Sequence, residues 1–269
     1  FFLAKDKDGA RLKKYFDTPS GLLKVFSRIE NFDLEEYGVP AFVIQALDVT
    51  FQLAVAAGLE ALLDAGLPVL SYTEHEGKTV AEINPLPPHM SAETGVIFAS
   101  SFPGLDSLVD EVTRATFYEA KTQFISLLSK YSTRASKNGE DDPAVAVVNE
   151  LVDAVQEDND YEYNRKLLFQ VLVMANAQLA ELIHATGPNT QCNAACAGTS
   201  QAIALAEDWI RHQRCDRVVV ISADAATSEQ LNSFISTGFM CLGAATKAGT
   251  IADAACPFDT RRKGMVVGA

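Results

Sequence analysis

The periodicity of apolar residues changes along the chain, and each change marks an element. Asp48 precedes an apolar series of Phe51, Leu53, Val55, Leu59, Leu62 and Leu63. This pattern predicts a helix with Asp48 as its N-cap, closed by Ala65-Gly66-Leu67-Pro68. Apolar positions cover more than one stripe of it, so most of its sides should be buried. Thr94 to Ser100 is short, apolar and bounded by small residues, as in a buried strand. Helical spacing follows over about 105–131 and 144–156, with Ser136 to Pro143 as the loop between and the acidic run 157–160 as a solvated loop. Residues 165–184 predict another helix, with Leu167, Leu168, Val171, Leu172, Leu179 and Leu182 on its apolar faces. Gly187-Pro188 breaks it before a short strand into Cys192. A helix over 197–213 and a fully buried strand over 217–223 complete the series.

Helices alternating with apolar strands predict an α/β fold with a parallel sheet covered on both faces. The first 31 residues mix Lys, Asp and aromatics and predict a helical, surface-packed extension, with Phe32 to Pro40 rich in turns. Residues 32–269 then form one domain, and 105–165 reads as an elaboration inserted between its core elements. No internal repeat is visible.

Composition narrows the function. Of the 269 residues, 48% are hydrophobic and 21% charged, the balance of a globular chain with a sizeable core. A net charge of −13 argues against a nucleic-acid binder and against adhesion to anionic membranes. No apolar run approaches the roughly 18 residues of a membrane span. Five cysteines, an odd number, fit a reducing compartment better than a disulfide framework, so a cytoplasmic location is expected. The chain starts at Phe1-Phe2-Leu3 without Met and stops inside a strand-like stretch, which suggests a piece of a longer polypeptide.

Cys196 is the leading chemical candidate. It lies where the strand near 189–193 gives way to a helix of small residues. A thiol there faces unpaired backbone N–H groups and the positive end of the helix dipole, and both stabilise a thiolate nucleophile. Ala194, Ala195, Ala197 and Gly198 leave room for a substrate arm, and a backbone N–H of the turn could form half of an oxyanion hole. On these residues alone, a small buried thiol is the commoner explanation. Other chemistry has less support. Cys192 and Cys196 lack a second Cys/His pair for zinc, and no phosphate loop or nucleophile elbow around serine occurs. Cys192 reads as a core strand residue. His184 and His212 read as surface residues, and His75, between Glu74 and Glu76, as part of a solvated loop.

The wider sequence resembles β-ketoacyl synthases of the thiolase-like superfamily. Ala194-Ala195-Cys196-Ala197-Gly198 resembles their nucleophile segment, most closely that of the chain-initiating type III enzymes. The spacing from Cys196 to Gln201-Ala202 also suits thiolases, and Ile210 to Ala223 resembles the stretch after the active-site helix. Ala255 to Gly268 resembles a segment of elongating, polyketide-type enzymes. Upstream, Phe32 to Val39, Asp48 to Gly66 and Thr94-Gly95-Val96 resemble family landmarks in the same order.

The resemblance implies the N-terminal half of a thiolase-like α/β/α/β/α fold with an inserted helical segment. It implies an acyltransferase in which Cys196 accepts an acyl group from acyl carrier protein or acyl-CoA. A malonyl thioester would then lose carbon dioxide and attack the acyl-enzyme, in fatty-acid or polyketide synthesis. No cofactor is implied beyond the phosphopantetheine carried by the substrate, and no metal. The catalytic histidines (or His and Asn), and the lysine of elongating enzymes, would lie beyond residue 269, since His75, His89, His184 and His212 match none of those motifs.

Phe234, Met240 and Cys241 fall where the family lines its acyl pocket, although apolar core is the commoner explanation for each. A homodimer is expected, with the C-terminal half as a further partner. Arg211, Arg214 and Arg217 are the nearest basic cluster for an acidic carrier, although a solvated helix end explains them at least as well. The chain departs from the family at Phe51-Gln52-Leu53, at Lys263 and in the length of 105–165. A type III-like or thiolase-type enzyme that uses coenzyme A directly is the first rival. A catalytically silent partner subunit is the second, and Cys196 weighs against it.

Overall fold

A computed structural model describes residues 2–5, 11–14, 24–29, 32–75, 78–137, 143–156 and 161–268. The first strands, β1 (Phe2–Lys5) and β2 (Arg11–Lys14), pair antiparallel. The helical expectation for residues 1–31 is therefore corrected where the backbone is described. Leu3 and Ala4 pair with Lys13 and Leu12, which is ladder bonding between strands rather than bonding within a helix.

A 3₁₀ turn over Leu34–Tyr37 and α1 (Ala41–Ile44) lead to α2 (Val49–Asp64). Asp48 caps α2 as expected, its Oδ1 accepting from Thr50 N–H at 2.9 Å. Its Oδ2 accepts from the N–H and Oγ of Ser107 at 3.0 and 2.8 Å, so one buried carboxylate serves two segments. Next come β3 (Leu70–His75) and β4 (Lys78–Ile83), an antiparallel hairpin in which His75 pairs with Lys78. His75 thus ends a strand, a correction to the loop reading. Its neighbour Glu76 lies outside the described residues.

After α3 (Pro88–Ser91) come β5 (Thr94–Ala99) and α4 (Leu105–Lys137), which runs further than the sequence predicted. Residues 136 and 137 are helical, and 138–142 of the expected loop lie outside the described residues, as does the acidic run 157–160. Then follow α5 (Pro143–Gln156), α6 (Leu167–Val171), α7 (Ala175–Leu182), β6 (Asn189–Cys192), α8 (Gly198–Arg211), β7 (Arg217–Ser222), α9 (Asn232–Cys241) and α10 (Ile251–Ala254).

The single helix expected over 165–184 is two. Where α6 ends, the backbone of Gln170 and Val171 packs against Gly104 so closely that a Cβ there would meet Gln170 O at 2.5 Å. Gly104 has φ +69°, which glycine adopts without penalty. The apolar faces also need correction, because Leu168 and Leu172 are 60% and 53% exposed.

The chain divides into two compact units, Phe1–Ser107 with Leu168–Ala269, and Leu108–Leu167. In the first, β5 lies between β6 and β7 in a parallel sheet. Alternation along β5 sends Val96 and Phe98 to one face and Ile97 and Ala99 to the other. The first face packs with Phe51, Leu59, Leu179 and Ile183 of the α2/α7 side, and the second with Ala202, Ala206 and Trp209 of α8. Phe51 and Phe98 meet edge to face at 5.8 Å. Burying each such side chain contributes roughly 1.5–3 kcal/mol. The α/β class is as expected, with helix, sheet and helix layers built around β5. Every residue of β5 is buried, while β7 alternates between half-buried and buried and ends exposed. The expectation of a fully buried 217–223 fails because β7 is an edge strand of this sheet.

The second unit contains α5 and most of α4. Ile125, Ser132, Ala135 and Val152 are buried, and Ser132 Oγ bonds Asn149 Oδ1 at 2.7 Å. Glu111, 4% exposed, accepts from Tyr161 Oη at 2.6 Å, from Asn164 N–H and from Arg114 Nη1, so its buried charge is compensated.

Candidate active site

The three parallel strands end together, and the loops leaving them carry the candidate chemistry. After β6 the chain turns through Asn193-Ala194-Ala195-Cys196-Ala197 into α8. Asn193 Oδ1 accepts from Ala195 N–H at 2.9 Å, an Asx-type turn that rotates the chain before the helix. Ala195 takes φ +48°, a left-handed conformation that costs an L-residue about 1–2 kcal/mol. Two bonds close the turn around Cys196: Ala197 N–H to Ala194 O at 3.0 Å, and Gly198 N–H to Ala195 O at 2.9 Å. Cys196 itself is exposed, immediately before the N-cap Ala197. The reading of Cys196 as a small buried residue is therefore corrected: its side chain is exposed. The first N–H groups of α8 are not consumed by a side-chain cap at Ala197, so the positive end of the helix lies beside the thiol.

Two side chains the sequence did not single out tie this turn to its neighbours. Asn193 Nδ2 donates to Ser101 O at 3.3 Å, in the loop that leaves β5. That loop wraps around Asp224, two residues beyond β7. The carboxylate accepts from Ser100 Oγ at 2.8 Å and from the N–H groups of Ser101 and Phe102 at 2.9 Å each. Thr199 Oγ1 also donates to Ser222 Oγ at 2.8 Å, joining the first turn of α8 to the end of β7. The loops after β5, β6 and β7 are thus linked through one carboxylate and one amide. The sequence signal was slight: an Asn just past the polar strand β6 and an Asp just past the apolar β7, where short side chains cap backbone N–H groups.

Other candidate residues are distributed differently. Phe234 on α9 is 75% exposed, and Met240 and Cys241 near its end are half-buried. Among the described residues, no hydrogen bond or ring contact joins them to the Cys196 turn. Cys192 is half-buried with Sγ 3.8 Å from Gly198 O, and burial raises its thiol above the ordinary range. His89, His184 and His212 are exposed, and His212 Nδ1 lies 2.8 Å from Asp208 O. The basic cluster is engaged within the chain. Arg211 pairs with Glu207 at 2.5 Å, Arg214 lies over the Trp209 ring at 5.9 Å, and Arg217 donates to Met90 O at 3.3 Å.

A cavity of 330 Å³ is walled by Arg28, Phe32, Gln52 and Thr227 among others, and one of 570 Å³ by Lys247, Cys256, Arg261 and Lys263. Neither is lined by Cys196, Phe234 or Met240. Among the described residues no group of three or more His, Cys, Asp and Glu is placed to hold a metal ion. Among the same residues, no helix is long and apolar enough to cross a membrane.

Comparison with known proteins adds a likeness over part of the chain. Residues 143–269 match the model of the β-ketoacyl synthase N-terminal domain, a stretch that contains the Cys196 turn, β6, α8 and β7. No curated protein sequence matches the chain. Among solved structures, the chain is similar to a type II polyketide-synthase acyl-carrier protein in complex with its ketosynthase bound to the hexaketide. The identity is 18%, the coverage 85% of this chain and 43% of that one, and the TM-score 0.48. It is also similar to a β-ketoacyl synthase from Burkholderia phymatum STM815, at 16% identity, with 92% and 46% covered and a TM-score of 0.49. The chain spans less than half the length of these structures.

Proposed function

With residues 143–269 matching the N-terminal domain of β-ketoacyl synthases, we propose that this chain supplies the nucleophile half of a condensing acyltransferase, with Cys196 as the acyl acceptor. One observation carries the reading: within the matched stretch, Cys196 is exposed on a strained turn at the head of α8, which is where an attacking thiolate is needed.

The Cys196 sulfur attacks the carbonyl carbon of an acyl thioester, and the tetrahedral oxyanion collapses to expel the phosphopantetheine thiol. This leaves the acyl group on Cys196. N–H groups of the turn and of the first turn of α8 offer donors to that oxyanion, each typically lowering the barrier by about 3–4 kcal/mol. A malonyl thioester then loses carbon dioxide. The carbanion formed attacks the acyl-enzyme carbonyl, making the carbon–carbon bond and releasing Cys196. Decarboxylation calls for groups beyond this chain, so the C-terminal half and a second subunit belong to the proposal as partners. The acyl donor is an acyl carrier protein or coenzyme A, both of which present the same thioester arm. No metal or redox group is needed, and the unpaired cysteines favour a reducing, cytoplasmic setting.

The polypeptide carrying both halves, supplied with acyl and malonyl thioesters, should release carbon dioxide in step with a 3-oxoacyl product, and Cys196→Ala should abolish the product. Product formation retained in Cys196→Ala would refute the assignment.

A further inference from the structure

α4 carries a second apolar stripe that its own unit does not cover. Ile125, Ser132 and Ala135 are buried on the side of α4 that faces the interior of that unit, where Ser132 bonds Asn149 of α5. Elsewhere on the helix, Phe117, Ala120, Phe124, Leu127 and Tyr131 follow one another in steps of three, four, three and four residues. All five are exposed, with Phe117 at 69%, Phe124 at 54%, Leu127 at 64% and Tyr131 at 49%. Such spacing is that of a coiled-coil seam, with Phe117, Phe124 and Tyr131 at one core position and Ala120 and Leu127 at the other. A helix that only covered its own unit would show one apolar stripe of this kind.

Continued outward, the same register reaches Thr113 and Asp110 toward the helix start and Arg134 toward its end. From Asp110 to Arg134 the seam extends about 36 Å along the axis, or about three and a half heptads. Its two ends therefore carry opposite charges, and this decides what fits. A second copy laid parallel would set Asp110 against Asp110 and Arg134 against Arg134. Laid antiparallel about a two-fold axis near Thr122, every layer is complementary. Asp110 meets Arg134, Thr113 meets Tyr131, Phe117 meets Leu127, and the small Ala120 meets the large Phe124, each layer occurring twice. Lys121, beside the axis, faces its own copy and is the one unfavourable juxtaposition.

We infer that the exposed seam of α4 is a self-association surface, occupied by α4 of a second copy of this chain in antiparallel register. The contact is isologous and closes on itself, so it yields a discrete particle rather than a fibre. It involves residues 110–134, upstream in sequence of the stretch matched by the family model.

Sedimentation equilibrium of the full chain, with circular dichroism as a check on helix content, tests the inference. Wild type should associate, and Phe124→Glu should halve the mass of the particle while helix content stays the same. Asp110→Arg and Arg134→Asp should each raise the dissociation constant about tenfold, because two attractive layers become repulsive. The double variant Asp110→Arg with Arg134→Asp should recover most of that loss. A wild type that is monomeric throughout, a particle mass unchanged by Phe124→Glu, or a double variant no tighter than the singles would each overturn the inference. The charge variants keep the test open should Phe124→Glu fail to fold.

Discussion

Replacing Asp224 by alanine should loosen the loop after β5 and, through it, the turn that carries Cys196. The carboxylate accepts from Ser100 Oγ at 2.8 Å and from two backbone N–H groups at 2.9 Å, at a half-buried position. Hydrogen bonds to a charged acceptor contribute about 1.5–3 kcal/mol each when removal leaves the donor dry. Here the hydroxyl can turn to water and the N–H groups are partly reachable, so the total falls to about 2–4 kcal/mol. Asp224→Asn keeps one acceptor oxygen and should lose about half as much. The disturbance should also travel, because Ser101 O is the acceptor for Asn193 Nδ2 at 3.3 Å and Asn193 Oδ1 holds Ala195 N–H. Urea unfolding followed by circular dichroism gives the first quantity. The rate of Cys196 acylation in mild buffer gives the second, which should fall several-fold. The expected order is wild type, then Asn, then Ala, in both. An Asp224→Ala chain within about 0.5 kcal/mol of wild type, or one with unaltered Cys196 reactivity, would refute the linkage of the three loops.

Asp48→Ala should cost about 2–3 kcal/mol in urea unfolding, since it removes the α2 cap and leaves the Ser107 N–H and hydroxyl without their acceptor. Ser107→Ala should cost less, because the cap survives. Gly58→Ala should lower the melting temperature despite the helix preference of alanine: its Cβ would stand 2.4 Å from Leu179 Cδ2 and 2.9 Å from Ile221 Cγ2, and overpacking of this kind costs roughly 1–3 kcal/mol. Stability should also decline in alkaline solution. Burial raises the Cys215 thiol above its ordinary value of 9.0, so the unfolded chain loses that proton first; the contribution is whole below that pH and falls away as pH rises through it. Urea unfolding across that range should show a downward slope that is shallower in Cys215→Ala.

What the sequence revealed and what it concealed follow from the range of the forces involved. Asp48 and the apolar series after it were legible because capping and helix packing are local, and the 94–100 strand because an unbroken apolar run suits the centre of a sheet. The β3–β4 hairpin was not legible, because Lys78-Thr79-Val80-Ala81-Glu82-Ile83 lacks the strict apolar–polar alternation of a half-buried strand. The break between α6 and α7 could not be read, since Leu167, Leu168, Val171 and Leu172 continue a helical spacing up to it. The edge position of β7 likewise depends on strand order, which its own composition does not encode.

At the site, the strand-to-helix turn and its small residues were visible in the one-letter sequence. The exposure of Cys196, the φ of Ala195 and the bridge from Asn193 to Ser101 to Asp224 were not, because they arise from three loops meeting in space. The elaboration expected at 105–165 and the unit Leu108–Leu167 span nearly the same residues, while the family match begins at residue 143, inside both.

The proposed chemistry comes down to whether an acyl group passes to one named sulfur among five. The chain is incubated with an acyl thioester, digested and mapped by mass spectrometry, with Cys196→Ala alongside. The expected result is a single acyl adduct on the peptide holding Cys196, absent from the alanine variant and untouched at Cys192, Cys215, Cys241 and Cys256. An adduct that persists in Cys196→Ala, or that spreads over the other cysteines while Cys196 stays free, would contradict the assignment.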